Sequence, residues 1–430
     1  MKLAIIGTGF VGVTSSVVYA SFGNEVVGLD IDEKKVASLR RGKVPFYEPK
    51  LAEMLLETQA QGQLSFTDSY QEAISAADVV IVAVGTPSRA DGSIDLGYVD
   101  QAVAAAAPYF KDGVILAIKS TVLPGTLKRV RSIVEKVTAQ KVYYASLPEF
   151  LKEGTAVDDT LHPDRIVIGA NEKKAREILD ELHAPFKAPI IHISPESAQL
   201  AKYASNDYLA LRIAYINEIA DLAEKVGANV DEVLQVMGLE KRIGSHYWYP
   251  GFGYGGSCFP KDVRALAAHS GELGENDSLF KKLNELNSER PLKLMRGFEK
   301  KVGGFAGKKV AVLGLSFKPH TDDQREAPAL SVVPYLLAQG AKVTTFDPMV
   351  KAIADPEVIA NHNNYQQAES IEAAIENADV VIALVEWPAI VGFDFASLTP
   401  KTGAYFIDGR NQFNKKAIED CAYKYLGIGK

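Results

Sequence analysis

The sequence predicts an α/β protein in which two doubly wound parallel-sheet domains are joined by a central all-helical domain with one long helix. Three observations carry this expectation. Short β-branched runs alternate with helical patterns up to Ser194. From Pro195 a single helical pattern runs without a glycine until Gly227. The alternation then restarts at Lys308, and Ala378-Asp379-Val380-Val381-Ile382 echoes the earlier Ala77-Asp78-Val79-Val80-Ile81. The expected domains are residues 1–194, 195–302 and 303–430.

In chain order, the runs at 2–6, 25–30, 78–84, 114–118 and 141–145 have the apolar, β-branched character of strands buried on both faces. Helical patterns such as 95–107 lie between them, so the strands should be parallel and covered on both faces. The long helix of 195–226 should stop at Gly227, a residue suited to the left-handed turn that ends helices. A second helix should start after Asn229 or Asp231. A loop rich in Gly, Tyr and Pro follows at 247–260, then helices at 263–269 and 279–301, with Gly303-Gly304 as a linker. Strands are expected again at 310–313 and 341–346, the latter running into Asp347-Pro348.

Composition narrows the function. Of 430 residues, 47% are hydrophobic, enough for substantial cores and too many for a disordered chain. A formal net charge of -7 gives no electrostatic reason to bind nucleic acid or an anionic membrane. No apolar run approaches the roughly 18–20 residues of a membrane span, and the N-terminal run is too short for a signal peptide. The two cysteines, Cys258 and Cys421, are far apart, which argues against a disulfide framework and for a reducing, cytoplasmic location. None of the seven histidines has metal-type spacing, so no metal site is expected.

Gly7-Thr8-Gly9-Phe10-Val11-Gly12 follows a strand and opens a helix. Glycines there allow a tight turn and close backbone approach to a pyrophosphate, and the helix N-terminus presents free N–H groups to that anion. Asp30 closes the second strand, where a carboxylate accepts from a ribose 2′-hydroxyl and repels a 2′-phosphate. Together these predict a Rossmann-like NAD site rather than an NADP site. An incidental glycine turn is the bland alternative. Thr86 and Thr121 also fall at carboxyl ends of strands, where ligands bind in open α/β sheets, although each could equally cap a helix. The C-terminal domain has Gly314-Leu315-Ser316-Phe317 in place of a GxGxxG, so it should be Rossmann-like in layout without the same dinucleotide loop.

The densest signal is the segment Gly251-Phe252-Gly253-Tyr254-Gly255-Gly256-Ser257-Cys258-Phe259-Pro260-Lys261-Asp262. A loop needing so much backbone freedom usually wraps something. A thiol just before a helix has its thiolate stabilised; the competing reading is a buried structural cysteine. Cys421 sits in an ordinary helical pattern and reads as structural. Lys202 and Asn206, one turn apart, share a face of the long helix, and a solvated stripe explains them equally well. Glu149 and Glu153 follow a strand, where they could serve as bases or simply start a helix.

Taken together, GTGFVG (7–12), VGTP (84–87), STVLPGT (120–126), PEFLKEG (148–154), HPDRIVIG (162–169), the helix AKYASNDYLALRIAYINEIADLA (201–223), RIGSHYWYPGFGYGGSCFPKD (242–262) and FKPHTDDQREAP (317–328) resemble the UDP-glucose/GDP-mannose dehydrogenase family over nearly the whole chain. The resemblance implies oxidation of the C6 alcohol of UDP-glucose to the carboxylate with two NAD. It implies Cys258 as nucleophile, and Lys202 and Asp262 as the pair that handles protons, oxyanion charge and the hydrolytic water. Asn206 would be an oxyanion or hydroxyl donor, and Thr121, Glu149 and Glu153 would order water and act in acid–base steps. The nucleotide sugar would be held by Glu149, Phe150, Leu151, Lys152, Lys202, Asn206, Tyr247, Tyr249, Phe252, Gly253, Cys258, Phe317 and Lys318, with Arg242 reaching it, in some members from the partner subunit. Gly7, Gly9, Phe10, Val11, Gly12, Asp30, Lys35, Thr86, Thr121, Glu153, Lys261 and Arg325 would bind the cofactor. A homodimer through the long helix is also implied.

Two departures from the family pattern are small: Lys152 stands where arginine is common and Phe10 where tyrosine is common. FPKD after Cys258 and HPDRIVIG look like the UDP-glucose branch rather than those acting on UDP-N-acetylhexosamines or GDP-mannose. A two-electron β-hydroxyacid-type dehydrogenase is a competing reading, but it needs neither Cys258 nor residues 308–430. An NAD-sensing scaffold would explain Gly7–Gly12 but not the loop around Cys258.

Overall fold

In the computed structural model, which describes residues 1–361 and 363–430, the first apolar run forms strand β1 (Lys2–Ile6). Seven more strands join its sheet: β2 (Glu25–Leu29), β3 (Leu64–Thr67), β4 (Val79–Val82), β5 (Val114–Ile118), β6 (Val142–Ser146), β7 (Ile166–Gly169) and β8 (Ile190–Ile193). Their order is β3-β2-β1-β4-β5-β6-β7-β8. Every neighbouring pair is parallel except β6 and β7, which meet antiparallel at Ser146 and Gly169. Side chains alternate between the faces, as the pleat requires. Leu3, Ile5, Val79 and Ile81 pack into the core on one face, and Ala4, Ile6, Val80 and Val82 into the core on the other. Two buried faces explain why these strands read as unbroken apolar runs. The order reverses between β1 and β4, and ligands of open α/β sheets bind beyond the carboxyl ends of the strands at such a point.

The chain folds as two compact units, Met1–Ser205 and Asn206–Lys430. The second holds a six-stranded, all-parallel sheet of β9 (Lys309–Leu313), β10 (Lys342–Phe346), β11 (Tyr365–Gln367), β12 (Val380–Ala383), β13 (Tyr405–Asp408) and β14 (Lys424–Leu426), in the order β11-β10-β9-β12-β13-β14. The sequence echo thus reflects two sheets with the same strand order at their hearts. Phe252, Leu294, Met295 and Phe298, from the helical segment, share one core with Val310, Val312 and Val380. The helices before this sheet are therefore part of its packing.

The long helix is Pro195–Val226, ended by Gly227 with φ of 73°. Asn229 caps the next helix, Val230–Gly238, by accepting from the Asp231 amide at 3.0 Å. The helix expected at 263–269 starts earlier, at Phe259, because Pro260 suits the first turn, where its missing N–H costs nothing. That shift puts Cys258 itself at the N-cap. Leu279–Val302 stays helical through Pro291 and closes on Gly303 at φ of 73°.

Candidate active site

Cβ atoms added to the first glycine loop show what it is for. At Gly12 the added carbon would lie 1.8 Å from the Gly7 carbonyl oxygen, so any side chain would force strand and helix apart. At Gly9, the N-cap of the helix Phe10–Ser21, it would meet nothing within 4 Å. That helix has no side-chain cap and no acidic residue in its first turn. Its free N–H groups and positive end face an open approach suited to an anion.

Asp30 lies just beyond β2. Its Oδ2 accepts from the Thr8 amide at 2.9 Å, the Thr8 hydroxyl at 2.7 Å and Lys35 Nζ at 2.9 Å. Among the described residues its Oδ1 accepts only from the Asp32 amide, at 3.1 Å. Burial pushes the carboxyl up, but the Thr8 and Lys35 side chains and the two amides outweigh it and hold it below the usual range. An ionised carboxylate with capacity left on Oδ1 can still take a ribose hydroxyl. On the neighbouring strand ends, Thr86 Oγ1 donates to the Thr121 carbonyl at 2.9 Å.

The segment after β6 carries a buried ion pair. Lys202 Nζ donates to Glu149 Oε1 at 2.8 Å, with both side chains less than a tenth exposed. Glu149 Oε2 accepts from the Leu151 amide at 2.8 Å. Burial pushes the Glu149 carboxyl up, yet the Lys202 charge and hydrogen bond, the Leu151 amide and the charge of Lys119 hold it below its ordinary value. Burial in turn pushes Lys119 down to about 8 against the attraction of Glu149. The Phe150 ring lies under the Arg165 guanidinium at 3.9 Å. Lys152 is exposed and pairs with Asp159 at 3.4 Å. Glu48 accepts from the Gly154 and Ala156 amides, each at 2.7 Å, and so anchors the turn that carries Glu153.

In the second unit, Cys258 sits at the N-cap of Phe259–Glu272, half-buried, with Ser257 Oγ 3.6 Å from its sulfur. A thiolate there meets the positive end of the helix. Asp262, one turn on, is 1% exposed. Its Oδ2 accepts from Asn206 Nδ2 at 2.7 Å and its Oδ1 from Lys261. The glycine loop before the cysteine is clamped from two helices. Asn287 accepts from the Tyr254 amide and donates to the Tyr254 carbonyl, both at 2.9 Å. Asn217 accepts from the Gly251 amide at 2.9 Å, and Arg290, ion-paired with Asp221, donates to the Gly251 carbonyl at 3.0 Å. Gly256 has φ of 86°, and a Cβ there would lie 2.7 Å from the Phe317 ring, so it must be glycine on both counts.

Three family models cover the chain. Residues 1–187 match the NAD binding domain of the UDP-glucose/GDP-mannose dehydrogenase family, 196–289 its central domain and 311–415 its UDP binding domain. The chain belongs to this family. UDP-glucose 6-dehydrogenase TuaD of Bacillus subtilis (strain 168) is 39% identical over 432 residues, which cover 100% of this chain and 93% of that protein. The UDP-glucose 6-dehydrogenase of Rhizobium meliloti (strain 1021) is 40% identical over 445 residues, covering 100% of both. A UDP-glucose dehydrogenase structure from the archaeon Pyrobaculum islandicum matches with a TM-score of 0.90 at 38% identity, covering 98% of each chain. As a UDP-glucose/GDP-mannose dehydrogenase family member, the protein is an NAD-dependent oxidoreductase.

Within that family frame, the structure brings Glu149 and Lys202 together in one unit and Asn206, Lys261 and Asp262 in the other. Lys261, expected near the cofactor, spends its charge on Asp262. Arg325 forks onto Asp323, with Nη2 2.7 Å from Oδ2. Arg242 is largely exposed and pairs with Glu240 at 2.9 Å. Tyr249 is exposed, its ring centroid 6.0 Å from that of Tyr247. The Phe252 ring is fully buried against Phe298, so its side chain is core and only its backbone is left for a ligand. Gly253 lies against Asn287. Phe317 packs on Gly256, and Lys318 Nζ is 5.5 Å from the Phe317 ring. Sequence reasoning missed Glu48, Lys119, Arg165, Asn287, Arg290 and Asp207. Arg165 and Asp207 lay inside quoted motifs without a role of their own; the others carried no local signal.

Proposed function

We propose that this protein oxidises the C6 alcohol of UDP-glucose to the carboxylate, giving UDP-glucuronate, with two NAD in succession and a covalent adduct on Cys258. The observation that carries the reading is a thiol at a helix N-terminus, beside a bonded carboxylate, in a chain alike over its full length to proteins named UDP-glucose 6-dehydrogenases. The segments 1–194, 195–302 and 303–430 would supply the cofactor site, the reaction centre and the nucleotide-sugar site.

The residues present fit NAD. Gly7, Gly9, Phe10, Val11 and Gly12 would hold its pyrophosphate on the open helix end, and Asp30 Oδ1 would accept from its ribose. Lys35, Thr86, Thr121, Glu153, Lys261 and Arg325 complete the proposed contacts. When bound, NAD supplies the two-electron acceptor at each oxidation.

The first oxidation turns the alcohol into an aldehyde, whose carbon the Cys258 thiolate attacks. A C–S bond forms and the carbonyl oxygen takes a proton, giving a thiohemiacetal that cannot diffuse away. Loss of the carbon-bound hydrogen with two electrons, and of the hydroxyl proton to a base, leaves a thioester. Water then adds, the C–S bond breaks, and the acid leaves as the thiol is regenerated. The Lys202 ammonium, held by Glu149, is suited to opposing negative charge on the reacting oxygen. Asn206 would donate to the same oxygen. Asp262 or Glu149, through water ordered with Thr121 and Glu153, is suited to proton removal. Phe150, Leu151, Lys152, Tyr247, Tyr249 and the backbone at Phe252 and Gly253 would hold the nucleotide sugar with Phe317, Lys318 and Arg242.

A homodimer through the long helix is part of the proposal. Tyr208, Tyr215 and Leu222, spaced seven apart, are all more than half exposed and form one apolar stripe. So is a cytoplasmic location. Both cysteines are free, and among the described residues no helix is long and apolar enough to cross a membrane. The test is incubation with NAD and UDP-glucose, UDP-N-acetylhexosamines or GDP-mannose, following NADH. UDP-glucose should give by far the highest kcat/KM; preference for another sugar nucleotide would refute the substrate assignment.

A further inference from the structure

Next to Asn206, the residue that holds Asp262, stands a second carboxyl that the proposed chemistry does not use. Asp207 is 2% exposed, and neither of its oxygens has a hydrogen-bond partner among the described residues. One and two turns further along the same helix, Ala210 and Ala214 belong to a buried apolar cluster with Val263, Leu283 and Tyr254. The Tyr254 hydroxyl is likewise buried without a partner. A lone buried carboxylate is costly, so an unpaired carboxyl in such a place takes a proton instead. Asp262 differs in that Asn206 and Lys261 both donate to it.

We infer that Asp207 is a positioning residue for Asp262: its buried, unpartnered carboxyl keeps its proton, so it does not compete for Asn206 and Lys261, the two groups that hold Asp262 in place. The charged and titratable groups facing Asp207 within this unit agree. Asp262 and Lys261 act on it from the helix Phe259–Glu272. Tyr254 feels it from the glycine loop, and Arg264 and Glu326 act on that same tyrosine. Burial first, then the Asp262 charge, pushes Asp207 up to about 8, with Lys261 pulling the other way. Below that pH Asp207 is neutral. Above it Asp207 releases its proton to solvent, and its carboxylate then competes with Asp262 for Lys261 and Asn206.

This inference rests on reading Asp262 as a site carboxylate, and the test separates the two. In the full-length enzyme, kcat is measured from pH 6 to 10 for wild type, Asp207→Asn and Asp262→Asn. Wild type should lose turnover above a midpoint near pH 8, by about tenfold per pH unit for one ionisation. Asp207→Asn, neutral at every pH, should lack that limb. Thermal stability gives a readout independent of turnover. The native state keeps the Asp207 proton that the unfolded chain has lost, so wild-type stability falls as pH rises through this window and levels above about 8. The Tm advantage of Asp207→Asn should therefore widen from pH 5 to 8 and then stay constant. An unchanged alkaline limb would overturn the positioning role, and a flat Tm difference would overturn the buried proton on Asp207. Wild-type turnover in Asp262→Asn would instead overturn the reading of Asp262 beneath it.

Discussion

Lys202 Nζ lies 2.8 Å from Glu149 Oε1, and neither side chain is open to water. A buried pair of this kind is weak evidence of stability by itself, but removing one partner strands the other charge. Lys202→Ala should lower kcat by at least ~10²-fold, as loss of a preorganised charge does. It should also destabilise the fold by about 3–5 kcal/mol at pH 7. Glu149 has a lowered carboxyl pKa, so its contribution is present above the unfolded value and is lost as pH falls through the folded one. The Tm deficit of the variant should thus shrink on acidification below the ordinary carboxylate range. Turnover within a few-fold of wild type would make Lys202 a packing residue only.

Asp30 already serves Thr8 and Lys35, so its removal does more than delete a ribose contact. Asp30→Ala should raise the KM for NAD and narrow the preference over NADP, since the repulsion of a 2′-phosphate disappears. Initial rates with both cofactors measure this. Equal use of the two by the wild type would contradict the assignment.

The loop clamp predicts a different signature. Asn287 makes two hydrogen bonds to Tyr254, four residues before the nucleophile. Asn287→Ala removes both and leaves buried backbone groups unpaired at about 1–3 kcal/mol. Alkylation of Cys258 by iodoacetamide should change in rate and lose its protection by UDP-sugar, while NAD affinity stays as it was. Unchanged alkylation and protection would mean that the loop holds its shape without Asn287.

These residues also show what could be read from the sequence. β1 and β5 were plain because both faces are buried and the apolar run says so. The long helix was plain from Pro195 to Gly227 because nothing inside it breaks the pattern and a glycine ends it. β8 carries no such signal: at the sheet edge, two of its four residues are exposed and the other two only partly buried. β3, β7, β11 and β14 are three- or four-residue strands whose pairing comes from distant partners. In the proposed site, Cys258, Asp262, Lys202 and Asn206 stand out in the sequence through local spacing and family motif. Glu48 reaches amides more than a hundred positions away, and Arg290 reaches Asp221 across 69. Asp207 is ordinary in sequence, and only its burial without a partner singles it out.

The central claim is covalent catalysis at Cys258, and the most direct measurement is the product made by Cys258→Ala from UDP-glucose with excess NAD. Wild type should form two NADH per sugar and release no aldehyde, and Cys421→Ser should behave the same. Cys258→Ala should make no UDP-glucuronate, because no thioester can form, and Cys258→Ser should be similarly crippled, since a hydroxyl without an adjacent base is a far weaker nucleophile. UDP-glucuronate from Cys258→Ala at the wild-type rate would contradict the account and assign the second oxidation to a hydrated aldehyde instead of a thiol adduct.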